Sequence, residues 1–227
     1  MILALLPMAF GATPADLANS LAVPPSDIVS ANVNGNAQAY DVLTNLGILS
    51  PTEGTDFAIF SSGKVGLSPE PGQDLPPMGR PQGDSVKLTL ELAVPTNANS
   101  FAFDFYFLSA EYPEYVGSPY NDVFEANVSG TAWSGNAAVD SAGNNITVNS
   151  ALFSVTANTD LQGSGFDKGV GGGTGWLTAV VPADPGTTLT LELFVSDVSD
   201  GVYDSVVLLD DFYWSESEIS TPVVVTD

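Results

Sequence analysis

The sequence predicts an all-β chain: a jelly-roll-like β-sandwich with one short N-terminal helix. Three observations predict it. Short apolar and alternating segments recur, roughly eleven to thirteen of them. Turn residues punctuate them about every 8–12 positions. Only one short segment reads as a helix, and neither a fixed-period repeat nor a heptad pattern is present. The 227 residues, 44% of them apolar, suffice to bury a core.

Taken in order, Thr13-Pro14-Ala15-Asp16 opens the helix. Thr13 can cap it, Pro14 suits its first position, and Asp16 favours its positive end. Leu17, Leu21 and Val23 give it an apolar side, and Pro24-Pro25 stop it. Asp27–Val33 reads as a strand closed by the Asn34-Gly35-Asn36 turn. Tyr40–Leu46 fits a strand or a helical turn equally, and Phe57–Ser61 is a short apolar strand. Residues 68–84 carry five Pro and three Gly and read as a long loop within one domain rather than a linker.

Ser85–Val94 alternates Val86, Leu88, Leu90 and Leu92 with Lys87, Thr89 and Glu91. Phe101–Leu108 puts four Phe on one face, and a strand near Asn121–Val128 follows. Thr131–Val139 and Asn145–Asn149 flank a turn at Asp140–Asn144, with Ala151–Val155 next. The glycines of Gly163–Gly175 call for positive φ or close backbone approach. Trp176–Val181 and Thr187–Val195 read as a hairpin across Pro182–Gly186. Val206–Trp214 is the last strong strand, apolar on both faces at first, as a buried central strand is. The single domain so read spans residues 13–214, followed by a tail, 215–227. Residues 1–12 are uncharged and apolar but too short to span a bilayer. They suit a signal-peptide remnant, an ordinary strand, or a strand donated to a neighbouring subunit.

Charge narrows the function classes. There are 27 acidic residues against Lys64, Arg80, Lys87 and Lys168, a net charge of −23. Such a chain repels nucleic acid and anionic membranes and attracts cations. It has no His and no Cys, which excludes Ser-His-Asp and Cys-His catalysis and His- or Cys-based metal sites.

Two stretches carry the chemistry. In the first, the loop Ser109–Tyr120 holds Glu111, Glu114, three Tyr and two Pro between strong strands, with Asp122 just beyond. Long loops that are not simply polar tend to be functional. In the second, Asp197, Asp200 and Asp204 crowd one turn, and Asp210 and Asp211 follow. Five carboxylates within fifteen residues repel one another unless solvated, protonated or bridged by a cation. Two readings stay open: a divalent-cation site, or an acidic turn whose side chains bond their own backbone. The cation reading assigns Glu111, Asp122, Asp197, Asp200 and Asp204 as ligands and Ca²⁺ as the ion, since all are hard oxygen donors. Asp210 and Asp211 cannot both face the core; the buried one needs Ca²⁺ or a ring of backbone N–H groups. Tyr112, Tyr115 and Trp176 are the residues able to stack on a sugar, or simply to pack the loop.

SAEYPEYVGSPYNDVF (109–124), followed by SDVSDGVYDSVVLLDDF (196–212), resembles the choice-of-anchor L domain of bacterial surface and secreted proteins. The match rests on Ser109, Glu111 to Glu114, Val116 to Ser118 and Asn121 to Phe124, then Asp197, Val198, Asp200, Tyr203 to Ser205 and Val207. Ala110 departs from the family, which usually has an acidic residue there. The resemblance implies an extracellular β-sandwich on a bacterial surface; it supplies no reaction.

The resulting expectation is a secreted, non-enzymatic surface or matrix module, calcium-stabilised, serving adhesion or assembly. Glycan binding is one alternative. Another is a filament subunit that donates an apolar terminus, residues 1–10 or 222–226, to a neighbour's sheet. A glycoside hydrolase using Glu111 with Glu114 or Asp122 is the weakest reading, because nothing in the spacing fixes a carboxylate separation. The expected partners are a second copy of the chain or a glycan, with no nucleic acid and no transmembrane segment.

Overall fold

A computed structural model describes residues 11–65, 84–156, 159–167, 171–198 and 203–226. The helix α1 spans Pro14–Ser20, opened by a capping box in which Thr13 and Asp16 satisfy each other's backbone N–H. Strands follow at β1 (Ile28–Asn34), β2 (Tyr40–Leu43) and β3 (Phe57–Ser61). Next come β4 (Ser85–Ala93), β5 (Ser100–Ser109), β6 (Val123–Ser129), β7 (Ser134–Asn136) and β8 (Val155–Thr156). The last four are β9 (Gly172–Pro182), β10 (Thr188–Ser196), β11 (Ser205–Ser215) and β12 (Val223–Thr226).

These form two antiparallel sheets in a sandwich. One has the order β1-β4-β10-β6-β7, the other β12-β9-β5-β11-β3-β2, with β8 added on β9. Strands from before and after the Pro-rich stretch share both sheets. That stretch itself, residues 66–83, lies outside the described residues, as do residues 1–10 and the readings placed on them.

Patterning explains the packing. Phe101, Phe103, Phe105 and Phe107 of β5 point between the sheets, where they meet Phe124, Leu191, Leu193 and Leu209, with Leu17 and Leu21 from α1's side of the chain. The alternate residues of β5 do not reach water either. Tyr106 and Leu108 join Val206, Leu208, Phe57 and Ile59 in a second core on the outer face, covered by Leu46, Leu161 and Phe166. Both faces of β5, β3 and early β11 are therefore buried, as their unbroken apolar runs require.

Asp210 is the buried one of its pair. Its Oδ2 accepts the Thr52 N–H at 2.7 Å, the Glu53 N–H at 3.1 Å and the Thr52 hydroxyl at 3.2 Å, while Oδ1 accepts the Asp211 N–H at 2.8 Å. A ring of backbone N–H groups thus does the work that a cation would otherwise do. Burial still holds its carboxyl above the ordinary carboxylate range, outweighing those donors. Asp211 takes φ 45° at a bulge and is only partly buried.

Four expectations need correction. Trp176–Val181 and Thr187–Val195 are strands but not a hairpin: β9 and β10 lie in different sheets. The turn between them spends its N–H groups elsewhere, Ala183 on Asn99 and Gly186 on Val94, so it arches across the sandwich rim. Thr131–Val139 shrinks to β7, and Asn145–Asn149 to isolated bridges, because Asn136 and Asp140 side chains take the nearby backbone groups. Ala151–Val155 is mostly turn, extended only at β8. Separately from these, Val223–Thr226 forms β12, which pairs with β9 of the same chain.

Candidate functional site

Strand register gathers the two sequence stretches. In the larger sheet Ser205 pairs with Ser109, so the end of β5 and the start of β11 lie together. In the smaller sheet Ser196 pairs with Val123 on one side and Ser85 on the other. Glu111, Asp122, Asp197 and Asp204, each at a strand end, therefore meet at one rim of the sandwich. Ser62, Gly63 and Asp84 arrive there by the same logic, through the pairing of Val206 with Ser61 and of Ser196 with Ser85.

All four carboxylates are inside: Glu111 is 1% exposed, Asp122 0%, Asp197 1% and Asp204 2%. A solvated acidic turn is thus excluded for Asp197 and Asp204. Asp122 ties both stretches together. Its Oδ2 accepts the Ser205 hydroxyl at 2.6 Å, its Oδ1 accepts the Val198 N–H at 2.9 Å, and its own N–H reaches Glu111 Oε2 at 3.5 Å. Asp204 is held from behind. Ser62 Oγ approaches its Oδ1 at 3.5 Å, and the Ala110 N–H donates to its carbonyl at 3.1 Å. Gly63 has to be glycine for this approach, since a Cβ there would overlap the Asp204 carboxylate.

Asp197 differs from the others. Its N–H donates to the Asp84 carbonyl at 3.0 Å, but both of its side-chain oxygens are buried and receive no hydrogen bond from a donor. Burial first, then repulsion from Asp122, Glu111 and Asp204, pushes its carboxyl up to about 10. A hydrogen bond between Asp197 and Asp122 exists only while one of the two carries a proton. Asp197 therefore holds a proton far more readily than an exposed carboxylate would. Among the described residues, no group of three or more such side chains is already disposed to hold a metal ion. Asp200, the fifth predicted ligand, lies outside the described residues.

The predicted aromatic residues separate. Tyr115 sits at the tip of the first loop and packs on Tyr203 at 5.4 Å and Tyr120 at 5.8 Å between ring centres, so the two stretches also touch through tyrosines. All three are half-buried, and Val116 beside them is exposed. Tyr112 instead packs on Phe153 at 5.2 Å, over a bare Gly172, and its hydroxyl donates to the Phe153 carbonyl at 3.4 Å. Trp176 belongs to the outer-face core, edge-on to Tyr106 at 5.7 Å and Phe57 at 6.3 Å. Ser62, Gly63 and Asp84 carried no signal beyond their place at strand ends; which strands pair, and so which ends meet, is not written in a local pattern.

The family model described as the choice-of-anchor L domain matches residues 73–212. No curated protein sequence matches the chain. Among solved structures, TmCBM61 in complex with beta-1,4-galactotriose is similar at 11% identity and a TM-score of 0.38, covering 84% of this chain and 91% of that one. The enzymatically active domain of tailspike protein 4 from bacteriophage CBA120 is similar at 9% identity and a TM-score of 0.32, covering 82% of this chain and 19% of that one.

Proposed function

We infer a function from a firm premise: the chain belongs to the choice-of-anchor L domain family. Membership fits a surface or secreted module that is not an enzyme. The finer reading is an extracellular module for adhesion or assembly whose working face is the rim just described. One observation carries it. The two long motifs of the family, more than seventy residues apart in sequence, end at that single rim, because β5 pairs with β11 and β6 with β10, and their loops then bond and stack on one another. They meet at the base through Asp122 and through the Ala110 N–H on the Asp204 carbonyl, and at the tip through Tyr115 and Tyr203.

A binding experiment tests this. Full-length protein is labelled and added to cells of its source, alongside a Tyr115→Ala/Tyr203→Ala variant and an Asp184→Lys variant at the opposite rim. Retention of the wild type and the Asp184 variant, with loss of the tyrosine variant at unchanged melting temperature, supports the reading. Equal retention of all three would remove the rim from it. The half-exposed tyrosine trio favours one ligand class in particular, neutral glycans, which stack on aromatic faces and pay no charge penalty near an acidic surface. Binding on a glycan array that the tyrosine variant loses is the expected result; silence across a broad array counts against glycans while leaving a protein partner open.

A further inference from the structure

We propose that Glu111, Asp122, Asp197 and Asp204 form a binding site for a divalent cation of the hard, oxygen-preferring class, with Ca²⁺ the ion that fits. An acidic cluster alone would not carry this; Asp197 does. Its carboxylate is 1% exposed, both oxygens lack a donor, and it faces three further buried carboxylates. A fold that needed only to fill this space could have used Asn or Leu at lower cost, because a buried carboxylate without a partner is among the most expensive groups to keep.

The donor set selects the ion class. Every side chain is a carboxylate, and His and Cys are absent from the whole chain, so a soft or borderline metal finds no preferred ligand. The surrounding bonds pre-orient the set. Ser205 and Val198 fix Asp122, while Gly63 and Ser62 back Asp204, so these two cannot swing to solvent as a lone surface Asp would. Loading still requires the side chains to close up, as no three are yet arranged around one point among the described residues. Ca²⁺ tolerates flexible, irregular coordination; Mg²⁺ demands near-ideal octahedral geometry and gives up its waters reluctantly. The cluster should therefore prefer Ca²⁺. A cation here would bridge both sheets, since Asp122 and Asp197 flank strands of one and Glu111 and Asp204 strands of the other. This inference concerns the ion alone and stands or falls independently of what the rim binds.

The test uses the full chain in Ca²⁺, in Mg²⁺ and in chelator. At a hundredfold excess over Kd, Ca²⁺ should raise Tm by ~5–10 °C, and Mg²⁺ by distinctly less. Tb³⁺ should show luminescence sensitised by Tyr203, next to Asp204, and excess Ca²⁺ should quench it. Asp197→Asn discriminates a site from bulk acidity. In chelator it should melt at or above wild type, because the amide can donate to Asp122; in Ca²⁺ it should lose most of the shift. If Asp197→Asn does not fold, Asp204→Asn serves, read by terbium titration. A wild-type Tm that is the same in Ca²⁺ and chelator, with no displaceable luminescence, overturns the proposal. So does a Ca²⁺ shift that Asp197→Asn fully retains, which would place the ion elsewhere among the acids.

Discussion

Asp122 offers the sharpest test of how the rim is built, because its truncation to Ala and its isosteric change to Asn should diverge. Asp122→Ala deletes the acceptor for the Ser205 hydroxyl and the Val198 N–H and leaves both donors in a buried place. Hydrogen bonds to a charged group contribute ~1.5–3 kcal/mol each. The opposing gain, relief of repulsion with Asp197, is small at neutral pH, because Asp197 is then protonated in the absence of a cation. The net loss should be about 3–5 kcal/mol, which lowers Tm by roughly 10 °C or more in a domain of this size. Asp122→Asn should behave differently. Its Oδ1 can still accept from Val198, and its Nδ2 can donate to Ser205 Oγ, a hydroxyl able to rotate into the accepting role. A cost of about 1 kcal/mol or less is expected. Thermal melts in chelator, which remove any contribution from bound cation, read both. An Ala variant within about 2 °C of wild type, or an Asn variant as damaged as the Ala one, refutes the account of Asp122 as the tie between the motifs.

Two further outcomes follow from other parts of the fold. Asp210 has a carboxyl held above its unfolded value by burial, so the stability tied to its proton is present at acid pH and lost as pH rises through the native value. The difference in Tm between wild type and Asp210→Asn should therefore be more positive near pH 4 than at pH 7, since other carboxylates titrate alike in both; a difference that is flat with pH would contradict this. Removing residues 218–227 strips β12 from β9 and bares the ladder from Leu177 to Val180. The shortened chain should self-associate on a sizing column, and added peptide of sequence TPVVVT should return it to the size of the intact chain. A shortened chain that stays at its original size would mean that β12 does not guard that edge.

Legibility followed the range of each signal. The alternation in Ser85–Val94 and Phe101–Leu108 is local and strong, and both became strands close to those limits. The helix was readable from Thr13, Pro14 and Asp16 because capping is a matter of three or four neighbours. Asp210 was readable one step further: an apolar run on both faces leaves an Asp in it no water, so donors had to be found, and Thr52 and Glu53 supply them from a distant loop. The supposed hairpin at Pro182–Gly186 failed because a five-residue turn looks the same whether it joins neighbours in one sheet or arches to the other. Ser62, Gly63 and Asp84 were invisible as rim residues for a related reason. Their place depends on β3 pairing with β11 and β4 with β10, contacts set by long-range topology rather than by any spacing near them.

The same topology bears on why the rim is charged at all. Strand ends usually expose their last residues, and carboxylates there stay solvated at little cost. Here the chain enters or leaves the rim at β3, β4, β5, β6, β10 and β11, and the loops fold over one another so that Asp122 and Asp197 end with essentially no water. Burying Asp197 with no hydrogen-bond donor works against folding, and in a stability-limited domain such a cost would be relieved by one substitution to Asn. A rim of this kind makes most sense as a conditional one. With a cation bound, the two motif loops are clamped and Tyr115 is held against Tyr203. With the cation withdrawn, the same charges loosen the base on which those tyrosines stand. The prediction that carries this furthest joins the two experiments above: in chelator the wild type should lose rim-dependent binding along with its Ca²⁺-dependent Tm shift. Asp197→Asn, already relieved of the unpaired carboxylate, should bind equally with and without Ca²⁺. Binding by the wild type that ignores chelator while Tm responds to it would separate the ion from the working face and leave it a purely structural clamp.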